Sequence, residues 1–266
     1  METAIKFKLQ DAIHSKQPIL FLVGAGLSTE SGIPTFRGSD GYWTVGSENY
    51  TPQEMGTLEM FKKYPIAVWK WYWHRMKICA KAKPNKSHKL LVEFEKLLSN
   101  QFALISQNVD GLHKQAGSSD ERLYLIHGDL NYMRCSKDCC ETLFELPFDS
   151  TKDIEVVKSD LICPNCGHMA RPHVLWFDET YNEVYYHQDT VVNLALNVAA
   201  LFIVGTSGAT LLPWVIHDAV QKNGGLIVNI DPNENRFSKR ISMNSNGYNL
   251  KYKSSEALAV MYEVIR

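Results

Sequence analysis

The chain has 266 residues, 45% hydrophobic and 21% charged, a balance that excludes a disordered segment and suffices for one large domain or a large and a small one. Its 28 basic and 29 acidic side chains nearly cancel. That argues against a broad electrostatic surface for nucleic acid or anionic lipid, so partners must be chosen by local chemistry. The polar, amphipathic start METAIKFKLQDAIHSKQ is unlike a secretory signal, and no apolar run approaches the roughly 20 residues of a membrane span. A cytoplasmic setting is therefore expected, in which clustered cysteines favour metal binding over disulfides.

The first strand is predicted at residues 19–23, an apolar run that stops at Gly24, with Gly26 one residue further on. Such a handover from strand to glycine turn suits a bound phosphate. The dinucleotide fingerprint would place a third glycine at position 29, where this chain has Thr29, and Gly32 and Pro34 then break any long helix. Residues 39–85 read as helical and unusually aromatic, and a helix is predicted over 86–98. A second apolar run, 102–106, ends in Gln107, Asn108 and Asp110, types that suit recognition of an amide and of ribose hydroxyls and serve equally well in a turn with a helix N-cap. A third, 123–126, ends in His127 and Gly128, where the imidazole is a candidate general base or a satisfied core histidine.

Residues 131–171 carry five of the six cysteines and little periodicity. Cys163 and Cys166 have the two-residue spacing of a structural zinc half-site, and Cys135 pairs with Cys139 or Cys140 upstream. Spacing leaves that choice open; the expected set is Cys135, Cys140, Cys163 and Cys166, a closed sphere that staples the segment without catalysing anything. A helix over 190–199 precedes strands at 201–204 and 226–230. The first of these strands runs into Gly205, Thr206 and Ser207, and the second carries Asn229 near its end and Asp231 just beyond it, groups able to hold phosphate or ribose oxygens. Nearly continuous apolar strands alternating with helices imply an open parallel α/β sheet with ligands at its carboxyl ends. Three strand ends presenting polar groups together favour a nucleotide-binding enzyme with a histidine base and a zinc-stapled insertion.

The motifs GAGLSTESGIPTFRG, SQNVDGLH, HGDL, the paired cysteines, RPHVLWFDE, GTS and VNID occur in the order seen in sirtuins, the NAD-dependent protein lysine deacylases, which the chain resembles from about Gln17 to about Glu256. The resemblance implies a Rossmann-like NAD domain (1–38, 100–130 and 172–266) with a helical insertion (39–99) and a zinc-binding insertion (131–171). It implies that Gly24, Ala25, Gly26 and Ser28 hold the NAD pyrophosphate while Phe36 and Arg37 fold over the nicotinamide ribose. Asn108 and Asp110, beside Gln107, would receive the nicotinamide amide and ribose, and Gly205, Thr206, Ser207, Asn229 and Asp231 the adenosine side. The acyl-lysine oxygen would then attack the anomeric carbon as nicotinamide leaves. His127 would take a ribose hydroxyl proton, leading to lysine and O-acyl-ADP-ribose.

The partner implied is an acyl-lysine protein or peptide, paired as an added strand with Val174 to Glu179, a stretch that includes Trp176 and Phe177. Tyr72 and Arg75, three apart on one helix face after Trp69, resemble the pair with which succinyl-, malonyl- and glutaryl-removing sirtuins read an acyl carboxylate. Packing of that aromatic helix is the plainer alternative, and NAD hydrolysis or ADP-ribosyl transfer is the alternative activity on this fold. Three departures carry expectations: Asp129 would raise the pKa of His127, Asp178 would disfavour an anionic acyl group, and Gly208 would loosen the adenosine side.

Overall fold

The computed structural model describes residues 3–35 and 51–266. The apolar runs form a six-stranded parallel sheet from β1 (Ile19–Val23), β2 (Phe102–Ser106), β3 (Leu123–Leu125) and three strands of the second half of the chain. Between the halves lie β4 (Gly128–Cys135), β5 (Leu143–Glu145) and β6 (Ala170–Val174); β7 (Ala200–Val204), β8 (Leu226–Ile230) and β9 (Gly247–Leu250) complete the large sheet, in the order β3-β2-β1-β7-β8-β9. The chain winds outward in both directions from β1 and β7, so a crevice opens between the ends of these two strands.

Strand alternation divides the core. Ile19, Phe21 and Val23 face one side with Leu91, Phe94, Leu258 and Met261, whereas Leu20 and Leu22 face the other with Val191, Leu212, Ile216 and Phe237. Phe21 is the hub of the first side, its ring 5.0–5.3 Å from those of Phe94, Phe102 and Phe202. Helix Lys86–Leu98, inside the expected insertion boundary of 39–99, lays Leu91, Phe94 and Leu98 on the large sheet.

β4, β5 and β6 form a separate antiparallel sheet in the order β5-β4-β6. Its face shares one apolar core with helix Pro65–Cys79, whose Trp69, Trp71, Tyr72 and Trp73 pack with Leu130, Met133, Ala170 and Trp176. The Trp69 indole donates to the Ala170 carbonyl at 2.9 Å, joining helix to sheet. Neither this sheet nor β9 was predicted. β4 and β6 place Arg134, Arg171 and His173 in buried positions, which destroys polar–apolar alternation, and β9 carries Gly247, Asn249 and only a half-buried Tyr248. Among the described residues, no helix is long and apolar enough to cross a membrane.

Helix Lys86–Leu98 also brings His88 against His113, ring centroids 4.9 Å apart. Burial holds His88 down to about 4 and His113 down to about 3, so both are neutral in the folded chain. In the unfolded chain they protonate near 6.5. The unfolded state thus binds more protons between about 6.5 and 3, and stability is full above that window and falls as pH drops through it. For His88 alone the loss is on the order of 3 kcal/mol. Thermal denaturation between pH 7.5 and 4.5 is expected to show a falling midpoint, with a shallower slope in His88→Gln/His113→Gln.

Candidate active site

The crevice is made by two backbone turns that leave no room for side chains. A Cβ on Gly24 would stand 2.7 Å from the Thr206 Cβ, and one on Gly26 2.8 Å from the Gly205 Cα. Gly205 itself has φ +60° and would press a Cβ to 2.6 Å from the Leu27 nitrogen. The turns are tied by Gly26 N–H to the Gly205 carbonyl (2.8 Å) and Gly24 N–H to Val204 (3.0 Å). A short 3-10 helix, Ala25–Ser31, follows and ends at Gly32 in the left-handed region. Asn85, the N-cap of the helix that starts at Lys86, steadies the loop by donating to the Leu27 carbonyl at 2.8 Å.

On the β2 side, Asn108 Nδ2 donates to the Gly24 carbonyl (3.1 Å) and to Ser28 Oγ (3.2 Å), and Ser28 donates to Asp110 at 2.7 Å. Burial raises the Asp110 carboxyl above the usual carboxylate range, against the bonds from Leu112 N–H and Ser28. Gln107 spans the crevice: its Nε2 donates to Thr206 Oγ1 at 2.8 Å and its Oε1 accepts from Thr210 at 3.3 Å. Asn108, Asp110 and Gln107, expected together at one strand end, therefore meet beside Gly24, and Ser28, expected among the pyrophosphate residues, joins them.

His127 stands at the end of β3. Its Nδ1 lies 3.0 Å from the Gln107 carbonyl and its Nε2 2.9 Å from the Tyr181 hydroxyl. A carbonyl only accepts, so Nδ1 carries the proton and Nε2 keeps its lone pair. Burial lowers the imidazole to about 4, which leaves it neutral near pH 7. The expectation for Asp129 fails: that carboxylate turns away to Asn131 (2.9 Å) and Lys114 (3.4 Å), and His127 shifts down instead of up.

At the expected adenosine end, Asn229 sits within its own network, its Nδ2 3.0 Å from Asn249 and 3.2 Å from Ser238, and Asp231 accepts from Asn233 N–H and Asn235. Gly208 does not loosen this end. Phe237 and Trp214, stacked 4.2 Å apart, fill the space to within 3.0 and 3.2 Å of a Cβ built there.

The stretch after β6 is clamped from two sides. The Leu175 N–H bonds to the His127 carbonyl and the Phe177 N–H to Gly56, both at 2.9 Å. Asp178 accepts from the N–H groups of Leu58 (2.7 Å) and Glu59 (3.1 Å), at the start of helix Leu58–Lys63. The expected role of Asp178 against an acidic acyl group is thus not what its contacts serve. Glu179, expected to touch substrate, accepts from both Nη atoms of Arg171, from Arg134 and from the Trp176 N–H, so its carboxylate faces inward. The Leu175, Trp176, Phe177 and Glu179 amides are all bonded within the chain. Val174 and Trp176 are buried and Phe177 is half exposed.

Trp176 forms a wall: its indole donates to Tyr72 Oη at 2.9 Å and the Arg171 guanidinium lies 3.5 Å from its ring. Tyr72 and Arg75 are both buried behind it, with Arg75 stacked 3.3 Å from the Trp71 ring and bonded to the Trp71 carbonyl. Burial raises the Tyr72 phenol far above its usual pKa, against the opposing field of Arg75. Phe36 and Arg37 lie outside the described residues.

The cysteine set is corrected by one position. Cys135, Cys139, Cys163 and Cys166 bring their sulfurs within 4.8 Å of one another, with 3.6 Å separations from Cys135 to Cys166 and from Cys139 to Cys163. Zn–S bonds of about 2.3 Å in a tetrahedron require sulfurs about 3.8 Å apart, so the group fits zinc. Asp138, at φ +48°, turns the chain so that Cys139 joins the group, leaving Cys140 outside it. Sequence reasoning also missed Tyr181 and Thr210, for which no local pattern offered a signal, because both act across the fold.

A doubly wound sheet receives nucleotides at the point where its winding reverses, and here that point is a Cβ-free cradle beside two amides, a carboxylate and a neutral imidazole. The protein is by this measure a nucleotide-using α/β enzyme. It belongs to the Sir2 family, whose sequence model matches residues 24–211. A relative from Aquifex aeolicus, 36% identical over 252 residues (93% of this chain, 95% of the relative), is named NAD-dependent protein deacylase. One of the same name from Pyrococcus abyssi is 39% identical over 225 residues, 84% of this chain and 85% of its own. A solved Sir2 homologue in complex with NAD superposes with TM-score 0.81 at 31% identity, covering 100% of this chain and 94% of that one.

Metal analysis of the purified protein is expected to find one zinc per chain. Cys139→Ser should lose the metal and lower the melting temperature by several degrees, whereas Cys140→Ser should keep both.

Proposed function

We propose that this protein is a NAD-dependent protein-lysine deacylase that removes acidic acyl groups, succinyl, malonyl or glutaryl, and transfers them to ADP-ribose. The turn of Gly24, Ala25 and Gly26, which packs against Gly205 with no space for a Cβ at its glycines, fits the pyrophosphate, with Gly205, Thr206, Ser207, Asn229 and Asp231 toward the adenosine. Asn108, Asp110, Gln107 and Ser28 fit the nicotinamide riboside end. His127, neutral and with its lone pair on Nε2, takes the ribose hydroxyl proton after nicotinamide has left and the acyl oxygen has bonded to the anomeric carbon.

The observation that carries the acidic preference is the Arg75 guanidinium, fully buried and close enough to Tyr72 to influence its phenol, which itself holds Trp176 at 2.9 Å. A buried guanidinium beside a phenol is the chemistry that recognises a carboxylate, a group an acetyl does not carry. With Asp178 committed to a helix cap, its charge does not oppose this.

Matched succinyl-, glutaryl- and acetyl-lysine peptides, turned over with NAD and read by mass spectrometry, test the proposal. Acidic acyl groups are expected to be preferred, and Arg75→Met should lower desuccinylation about a hundredfold, well beyond any loss of deacetylation. Equal losses would refute the carboxylate-reading role. Nicotinamide release that ignores the peptide would make the protein a NAD hydrolase or ADP-ribosyltransferase.

A further inference from the structure

Among the described residues, Tyr181 is the hydrogen-bond partner of His127 Nε2. Its Oη lies 2.9 Å from Nε2, and its ring centroid is 5.9 Å from that of the imidazole. On the other side of the ring the Gln107 backbone carbonyl receives His127 Nδ1–H. The imidazole is thus held at both nitrogens.

We propose that Tyr181 is a positioning residue for the acyl-transfer half of the reaction, a hydroxyl whose hydrogen bond to His127 Nε2 holds the ring in both protonation states. With the imidazole neutral, the phenol donates into the Nε2 lone pair and fixes the ring. That bond is released as the ribose hydroxyl reaches the same lone pair; once the ribose O–H bond has broken and the Nε2–H bond has formed, the phenol oxygen becomes the acceptor. No covalent bond of the phenol changes, and the proton stays on Nε2.

The need for such a partner follows from what surrounds the ring. Burial drives His127 down, opposed by the Gln107 carbonyl, and Asp129 is committed to Lys114 and Asn131. Among the described residues no carboxylate sits against either ring nitrogen, so the charged ring depends on a hydrogen bond that can reorient. The phenol is well suited, since burial pushes Tyr181 up to about 12 and it keeps its own hydrogen.

The inference rests on His127 as the base, and the experiment separates the two. Full-length Tyr181→Phe is assayed with NAD and a succinyl-lysine peptide for acyl transfer and for exchange of labelled nicotinamide into NAD. Exchange reports cleavage and re-formation of the glycosidic bond and needs no base. The expected result is a fall of about tenfold or more in kcat for acyl transfer, with exchange and the KM for NAD unchanged. Acyl transfer that is unchanged or faster in Tyr181→Phe, or an equal fall in both reactions, would overturn the proposal. His127→Ala is the separate check: acyl transfer surviving in that variant would refute the base reading itself.

Discussion

Backbone contact between the turn after β1 and the turn after β7 is the constraint from which the rest of the site follows. Because Gly24 and Gly26 meet Gly205 and Thr206 with no space for a Cβ, the two strand ends are held at backbone distance while the crevice above them stays open. Gln107 bridges the same two turns from β2, and its carbonyl in turn sets the tautomer and direction of His127. A side chain at any of the three glycines would displace the bridge, and with it the base, although neither belongs to the loop itself.

The stretch after β6 is held by a different principle, charge and capping in place of close packing. Glu179 sits between Arg171 and Arg134 in a half-buried network, and Asp178 caps a helix of the other module. Such a network contributes little net stability compared with apolar packing, but removing one member leaves an uncompensated buried charge. Its effect is geometric: Trp176 is fixed between the Arg171 guanidinium and the Tyr72 hydroxyl, and the two insertions become one wall.

Much of the fold was legible because parallel strands buried on both faces are nearly pure apolar runs. β1, β2 and β8 begin and end where the runs do, and the polar residues at their carboxyl ends meet in the crevice because parallel winding places those ends together. The small sheet was illegible because its buried faces carry Arg134, Arg171 and His173, whose partners Glu179, Tyr185 and Tyr186 lie elsewhere along the chain. Hydrophobic patterning cannot register a strand whose buried positions are satisfied by ion pairs and ring contacts.

The sequence by itself determined the doubly wound sheet, the glycine turns, the histidine at a strand end and two cysteine pairs, since each rests on local periodicity or spacing. Tertiary structure decided the rest. Cys139 rather than Cys140 joins the metal group because of a left-handed turn at Asp138. Asp129 and Asp178 are drawn off to Lys114 and to a helix end, and His127 is lowered by burial and matched to Tyr181. In each case the deciding quantity is where a side chain points and what it displaces water against, and that exists only once distant segments have packed.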